Sequence, residues 1–317
     1  MKVLISDKMA EEAIQVLKDA GHDITYEEYD AETLLKEIPN FDALMVRSRT
    51  KATKEVVEAG AAGNLKVIGR AGIGVDNIDI ETAGRLGVPV VNSPTGATAS
   101  VAELAIGHML ALSRHITRAD KTMKNGEWAK KKLKGVELGG KTLGLIGTGN
   151  IGKHAAKLAQ CFGMNVIGYD PFISKEDMAK DNIEKVEEIS DIMQKSDYIS
   201  LHIPHIDATH HIVNKEMISK MKPSAYIINC ARGGTVDEKA LYDALKEEKI
   251  AGAALDVFES EPPKENLFSK LDNVVMTPHI GANTKEGQIK AGTVCAAQMN
   301  KVLKGEEPDY CVNKKFL

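Results

Sequence analysis

The hexapeptide Gly147-Thr148-Gly149-Asn150-Ile151-Gly152 constrains this chain more than any other feature. It follows the strand-like run Thr142–Ile146 and opens a helical pattern over 153–161. At such a junction the first glycine permits a tight turn, the second lets backbone approach a pyrophosphate, and the third lets helix pack on strand. The helix start adds unpaired N–H groups and a positive dipole end for the phosphates. A glycine pattern by itself is weak, because any glycine-rich loop satisfies it. Here the next strand-like run, Asn165–Tyr169, is followed by Asp170, eighteen residues beyond Gly152, where a carboxylate would meet ribose hydroxyls. Strand, glycines, helix and acid in this order predict a dinucleotide site. Asp170 would repel a 2′-phosphate, which favours NAD.

The rest of the chain repeats the alternation of periods. Strand-like runs at 2–7, 24–26, 43–47, 65–70 and 88–91 are interspersed with helical patterns at 10–20, 31–38, 54–59 and 79–86. This first α/β lobe ends near Asn92-Ser93-Pro94. A long helical stretch, about 99–122, follows, holding Glu103, His108 and Arg114 among apolar residues, and a lysine-rich surface excursion comes after it. From Lys141 a second series has strands at 142–146, 165–169, 198–203, 225–229, 252–256 and 274–277, and a final helix spans about 284–303. Strands alternating with helices predict an α/β fold with parallel sheets covered on both faces. At roughly 150 residues per domain, 317 residues predict two domains.

Several classes are excluded. Lys and Arg number 41 against 45 Asp and Glu, a net charge of −4 that advertises no nucleic-acid face. No apolar run approaches the ~20 residues a spanning helix needs. Charge returns at Asp7, too soon for a signal-peptide core. Cys161, Cys230, Cys295 and Cys311 lie far apart with no C-x-x-C pair, which predicts reduced thiols in a cytoplasmic chain.

Further polar residues sit at expected strand ends. In Asn229-Cys230-Ala231-Arg232-Gly233-Gly234 the glycines read as a turn, with Arg232 solvated. Equally, an arginine there lies beside the cofactor crevice, where its fork can clamp a carboxylate. Position alone does not choose. His279, in Pro278-His279-Ile280-Gly281-Ala282, reads by itself as a polar loop residue. If Glu261 reached the same crevice, the carboxylate would orient the ring and stabilise imidazolium, making a proton-transfer pair. Arg47 and Arg70 end first-lobe strands and read either as solvated or as anion-binding. His202, His205, His210 and His211 tempt a metal reading, but their loose spacing forms no ligand set and no metal is expected. Trp128 reads as an interface anchor.

Together, G-T-G-N-I-G with Asp170, N-C-A-R-G-G, A-L-D-V-F-E-S-E-P-P and P-H-I-G-A resemble the D-2-hydroxyacid dehydrogenase family over essentially the whole chain. Val46-Arg47-Ser48, residues 67–77 and residues 252–258 are most similar to the branch that oxidises 3-phosphoglycerate with NAD, in serine synthesis. The resemblance implies two Rossmann-like or flavodoxin-like lobes. A discontinuous substrate-binding lobe would comprise 1–94 and 283–317, and an NAD-binding lobe 95–282. Hinges near 97–117 and 282–301 would let a cleft close and exclude water.

The same resemblance assigns roles. Arg232 would hold the substrate carboxylate, His279 would be the acid/base, and Glu261 its partner. NAD would lie on Gly147, Gly149, Asn150, Ile151, Gly152 and Asp170, with Ile73, His202, Ile203, Pro204, Cys230, Ala231, Asp256, Gly281 and Ala282 around it. Arg47, Ser48, Arg70 and Gly72 would face a phosphorylated 2-hydroxy acid. Residues 128–135 resemble a dimer arm that brings Lys130 to the partner's substrate in a homodimer formed through the nucleotide lobes. Family members often carry arginine there, and an aromatic where this chain has Leu133. Longer members have C-terminal regulatory domains, and feedback by serine is not expected of this chain. Glyoxylate or hydroxypyruvate reductases, D-lactate-type dehydrogenases and a non-catalytic co-repressor-like relative are the alternatives. Joint retention of Arg232, Glu261 and His279 argues against the last.

Overall fold

The computed structural model describes all 317 residues. They divide into two compact units, Met1–Thr98 with Ala282–Leu317, and Ala99–Gly281. The first runs β1 (Lys2–Ile5), α1 (Glu11–Asp19), β2 (Asp23–Tyr26), α2 (Ala31–Glu37), β3 (Ala43–Val46), α3 (Lys54–Ala62), β4 (Val67–Arg70), α4 (Ile80–Arg85) and β5 (Val90–Val91). The helices α5 (Thr98–Ser113) and α6 (Ile116–Lys124) lead into β6 (Thr142–Ile146), α7 (Asn150–Cys161), β7 (Asn165–Tyr169), α8 (Lys175–Ala179), β8 (Glu184–Lys185) and α9 (Ile189–Lys195). Next come β9 (Tyr198–Leu201), α10 (Lys215–Ser219), β10 (Tyr226–Asn229), α11 (Glu238–Lys246), β11 (Gly252–Leu255) and β12 (Val274–Met276). Finally α12 (Lys285–Leu303) returns to the first unit.

Strands β3, β9 and β11 are buried at every position, as sheets covered on both faces require, and their sequences are accordingly near-continuous apolar runs. The first sheet has the order β2-β1-β3-β4-β5, all parallel. Its winding reverses between β1 and β3, as in flavodoxin-like sheets. The second has the order β12-β11-β10-β9-β6-β7-β8, also all parallel, and reverses between β6 and β9 in the Rossmann manner. Each reversal leaves a crevice at the carboxyl ends of the strands. The C-terminal helix α12 fits against α1 and β4 through small residues: a Cβ on Gly292 would stand 2.6 Å from Ala13 Cβ, and one on Gly69 would stand 2.2 Å from Met299 Sδ.

Two local expectations need correction. The helical stretch expected over about 99–122 breaks into α5 and α6 at His115, which takes a left-handed conformation with φ 52°. The cause is tertiary: Val136 N–H donates to Ser113 O at 2.9 Å, and His115 Nε2 meets Lys134 O at 3.2 Å, so the returning loop occupies the end of α5. Strand β8 was not expected at all. It is a two-residue edge strand, Glu184-Lys185, with no apolar run to announce it.

Close packing in the second sheet yields a test. A Cβ on Gly144, in the central strand β6, would come within 2.1 Å of Ser196 Oγ and 2.8 Å of Ile192 Cγ2. Gly144→Ala should destabilise the fold by about 1–3 kcal/mol, the usual range for overpacking a core. Denaturant unfolding of parent and variant measures this; equal midpoints would refute it.

Candidate active site

At the carboxyl end of β6 the glycine loop has the form a pyrophosphate needs. Gly147 has φ 93°, and a Cβ on it would lie 2.7 Å from His202 O. A Cβ on Gly152 would lie 2.3 Å from Gly147 O, which is the close helix–strand approach. Gly149, by contrast, faces open space. The first bond inside α7 is Lys153 N–H to Gly149 O at 2.9 Å, so the amides of Asn150, Ile151 and Gly152 point ahead of the helix. Asp170 ends β7 beside them: its Oδ2 accepts from Thr148 N–H at 2.9 Å, and its Oδ1 from Phe172 N–H at 3.0 Å. Open backbone, forward-pointing amides and an anchored carboxylate fit a dinucleotide. His202, Ile203 and Pro204 follow β9 across the reversal. Burial pushes the His202 imidazole down to about 4, so it is neutral, with Nε2 3.0 Å from Ser200 Oγ.

Farther along the same edge, the loop Cys230–Gly234 follows β10. Asn229 ties it, donating from Nδ2 to Arg232 O at 3.0 Å and accepting from Ala231 N–H at 3.0 Å. A Cβ on Gly233 would stand 1.9 Å from Phe258 O, so only glycine lets this loop close against the one after β11. Arg232 Nη1 donates to Ala231 O at 2.7 Å. Glu261 comes from the loop after β11 and accepts from Phe258 N–H at 3.0 Å. Its Oε2 lies 2.6 Å from His279 Nδ1. Burial works to raise the Glu261 pKa, but the bonds from His279 and Phe258 and the charges of His279 and Arg232 outweigh it, and the carboxyl sits below its ordinary range. Arg232, Glu261 and His279 are thus neighbours. A cavity of about 380 Å³ beside the pair is lined by Phe258, Pro262, Pro263 and Met276, among others.

His279 itself is left-handed, with φ 53°, a conformation that costs a non-glycine residue of order 1–2 kcal/mol. Asp256, fully buried after β11, holds it. Its carbonyl accepts from His279 N–H at 2.8 Å, Oδ1 from Ile280 N–H at 2.8 Å, and Oδ2 from Gly281 N–H at 2.8 Å.

In the first unit the crevice falls between β1 and β3. Asp7, 2% exposed, follows β1 and accepts from Arg47 N–H at 2.5 Å, Thr50 N–H at 3.1 Å and Thr50 Oγ1 at 2.7 Å, while Arg49 Nε pairs with it at 3.2 Å. Asn77 Nδ2 donates to Arg47 O and Thr50 O at 2.7 and 2.6 Å. The loop carrying Arg47 and Ser48 is therefore pinned at both ends. Arg70 ends β4, in register with Val46, so Arg47 and Arg70 stand at adjacent positions on one sheet edge. A Cβ on Gly72 would fall 1.4 Å from Arg70 Nη1, so a side chain there would push the guanidinium from its present position. Ile73 lies in the same loop, its carbonyl accepting from Asn92 Nδ2 at 2.7 Å. Ala282 also belongs to this unit, and Lys130 is exposed in a turn of the second. Sequence reading missed Asp7, the acid that follows the first strand, and Thr277. It noted His108 only as a polar residue on an apolar helix.

Unit 2 is thus built as a dinucleotide-binding sheet bearing a histidine–carboxylate pair and an arginine, the equipment of a nicotinamide-dependent dehydrogenase. Residues 106–281 match the family model "D-isomer specific 2-hydroxyacid dehydrogenase, NAD binding domain". The chain is 51% identical over 313 residues to a D-3-phosphoglycerate dehydrogenase of Methanocaldococcus jannaschii, covering 99% of this chain and 59% of that one. It is 47% identical over 306 residues to a hydroxypyruvate reductase of Thermotoga maritima, covering 95% of this chain and 98% of that one. An acyclic imino acid reductase solved with NADPH and D-Arg superposes with TM-score 0.87 at 31% identity, covering 98% of this chain and all of the other. The chain belongs to the D-isomer specific 2-hydroxyacid dehydrogenase family and carries its NAD-binding domain. It spans about 59% of the length of the phosphoglycerate dehydrogenase it matches.

The depressed Glu261 carboxyl predicts a pH dependence of stability. The pair stabilises the fold above the ordinary glutamate value of 4.5 and loses that contribution as pH falls through the lower folded value. Glu261→Gln should be less stable than the parent near neutrality, and the two stability curves should converge as pH falls through that lowered value. Denaturant melts across that range test this, and curves that stay parallel would contradict it.

Proposed function

We propose that this chain oxidises 3-phospho-D-glycerate to 3-phosphohydroxypyruvate, the step that leads toward serine. The phosphorylated substrate is supported by one observation above the others: Arg70 ends β4 opposite Val46 and Arg47 directly follows Val46, so two arginines leave the same sheet edge, and two cations suit a dianionic group. In this reading unit 1 binds substrate and unit 2 binds NAD. The amides of Asn150, Ile151 and Gly152 take the pyrophosphate, and Asp170 takes the adenosine ribose. His202, Ile203, Pro204, Cys230, Ala231 and Gly281 line the cofactor.

Bound NAD supplies the hydride acceptor for C2. The chain's own residues hold the substrate and move the proton. Arg232 grips the carboxylate. His279, neutral with its proton on Nδ1, donates a hydrogen bond from Nδ1–H to Glu261, which leaves the Nε2 lone pair as the base for the C2 hydroxyl. Glu261 then stabilises the imidazolium. Reduction runs the same transfer backward from imidazolium.

We also propose a homodimer. No residue of α6 is buried, and its Ile116 and Met123, two turns apart, are exposed together with Trp128 at 77%. Such surface suits a second copy of the chain, with Lys130 close by as a cationic contact.

Two variants test the chemistry. His279→Ala should lower kcat by on the order of 10²–10⁴ while NADH still binds, as loss of a general acid/base does; turnover within a few-fold of the parent would overturn the assignment. Arg70→Ala should harm reduction of phosphohydroxypyruvate far more than that of hydroxypyruvate, compressing a parent preference on the order of 10²–10³. Comparable kcat/KM for the two keto acids in the parent would instead favour a hydroxypyruvate reductase, the activity for which the Thermotoga relative is named.

A further inference from the structure

His108 sits near the middle of α5, 3% exposed, on a helix whose other buried residues are small or apolar. A leucine or methionine would fill that space, so packing alone gives no reason for an imidazole. Both ring nitrogens are nevertheless engaged. Thr277 Oγ1 donates to Asp256 Oδ1 at 2.5 Å, which commits its only proton. Toward His108 Nε2, 3.2 Å away, the same oxygen can therefore only accept. Nε2 carries the ring proton, and in the neutral ring Nδ1 accepts from the Cys230 thiol, with Sγ 3.5 Å away. Burial favours both neutral forms: it lowers the imidazole pKa against the opposing charge of Asp256, and it raises that of the thiol. The bonds run in one direction, from Cys230 to His108 to Thr277 to Asp256.

That chain ends on the group that holds the acid/base loop. Asp256 binds the amides of His279, Ile280 and Gly281, and the left-handed His279 depends on those bonds. Gly281 also touches α5 directly: its Cβ position lies 3.4 Å from Val101 Cγ2 and 3.1 Å from Asp256 Oδ2.

We propose that His108 is a positioning residue for the reaction, orienting the Asp256 carboxylate through Thr277 and thereby aiming His279. Its effect on turnover rests on the dehydrogenase reading above; the hydrogen-bond chain does not. Misplacing a reacting group by about 1 Å can cost 10²-fold in rate, and His108 acts through three successive hydrogen bonds on the loop that carries His279. His108→Leu should therefore lower kcat for phosphohydroxypyruvate reduction about tenfold, with the KM for NADH within about twofold of the parent. Glutamine keeps a donor for Thr277, and His108→Gln should recover to within about threefold. Thr277→Val should match His108→Leu, and the double variant should be no worse than the poorer single one. Losses that multiply, or a glutamine variant as poor as leucine, would overturn the proposal.

Nitrogen NMR of histidine-labelled protein gives a readout independent of turnover. In the parent, His108 should be protonated at Nε2 alone. In His108→Leu, the ring signal and titration midpoint of His279 should move. An unchanged His279 would overturn the proposal whether or not the parent turns over. A parent inactive on phosphohydroxypyruvate, hydroxypyruvate, glyoxylate and pyruvate would defeat the functional reading instead, leaving the His279 signal to decide on His108.

Discussion

Every strand pairing within the two sheets is parallel, and much of the chemistry follows from that constraint. Parallel strands need crossovers, and the crossovers send every strand's carboxyl end to one edge of its sheet. Loops after β6, β7, β9, β10, β11 and β12 therefore converge, although they are separated by up to about 130 residues of sequence. Arg232, Glu261 and His279 meet because each leaves its own strand at the same edge. Arg47 and Arg70 leave the other sheet at one edge for the same reason.

Convergence alone would leave these loops loose. Two buried carboxylates fasten them. Asp7 gathers the amides of Arg47 and Thr50 in one unit, and Asp256 gathers those of Ile280 and Gly281 in the other. A buried carboxylate is tolerated only when its oxygens are matched by donors. Each acid therefore works as a template, imposing one backbone path on the loop that supplies the donors. In the second unit that path includes an unfavourable left-handed histidine, an example of local strain held by surrounding bonds at a functional position.

Glycines set how closely the layers approach. Gly152 lets α7 abut the loop that ends β6, Gly147 leaves room for His202 and Ile203 after β9, Gly233 lets two crevice loops touch, and Gly72 leaves room for the Arg70 guanidinium. In each case a single methyl group would displace backbone or a functional side chain. Glycine's place at these points follows from contact distances rather than from turn propensity alone.

The sequence by itself determined the α/β alternation, the dinucleotide loop Gly147–Gly152 and the acid Asp170 that follows it, because those signals are local: each lies within one strand–turn–helix segment with its own periodicity. It left Arg232 and His279 undecided on position alone, since a lone arginine or histidine at a strand end looks the same whether solvated or engaged; only their resemblance to a known family spoke for a role. Tertiary structure brought Glu261 to His279 at 2.6 Å and set Arg232 nearby. It also broke the expected helix at His115, added the edge strand Glu184–Lys185, and gave His108 its partners Thr277 and Cys230. These features depend on groups far apart in the chain, and no local pattern of propensity or hydrophobic period records which distant donor will face which acceptor.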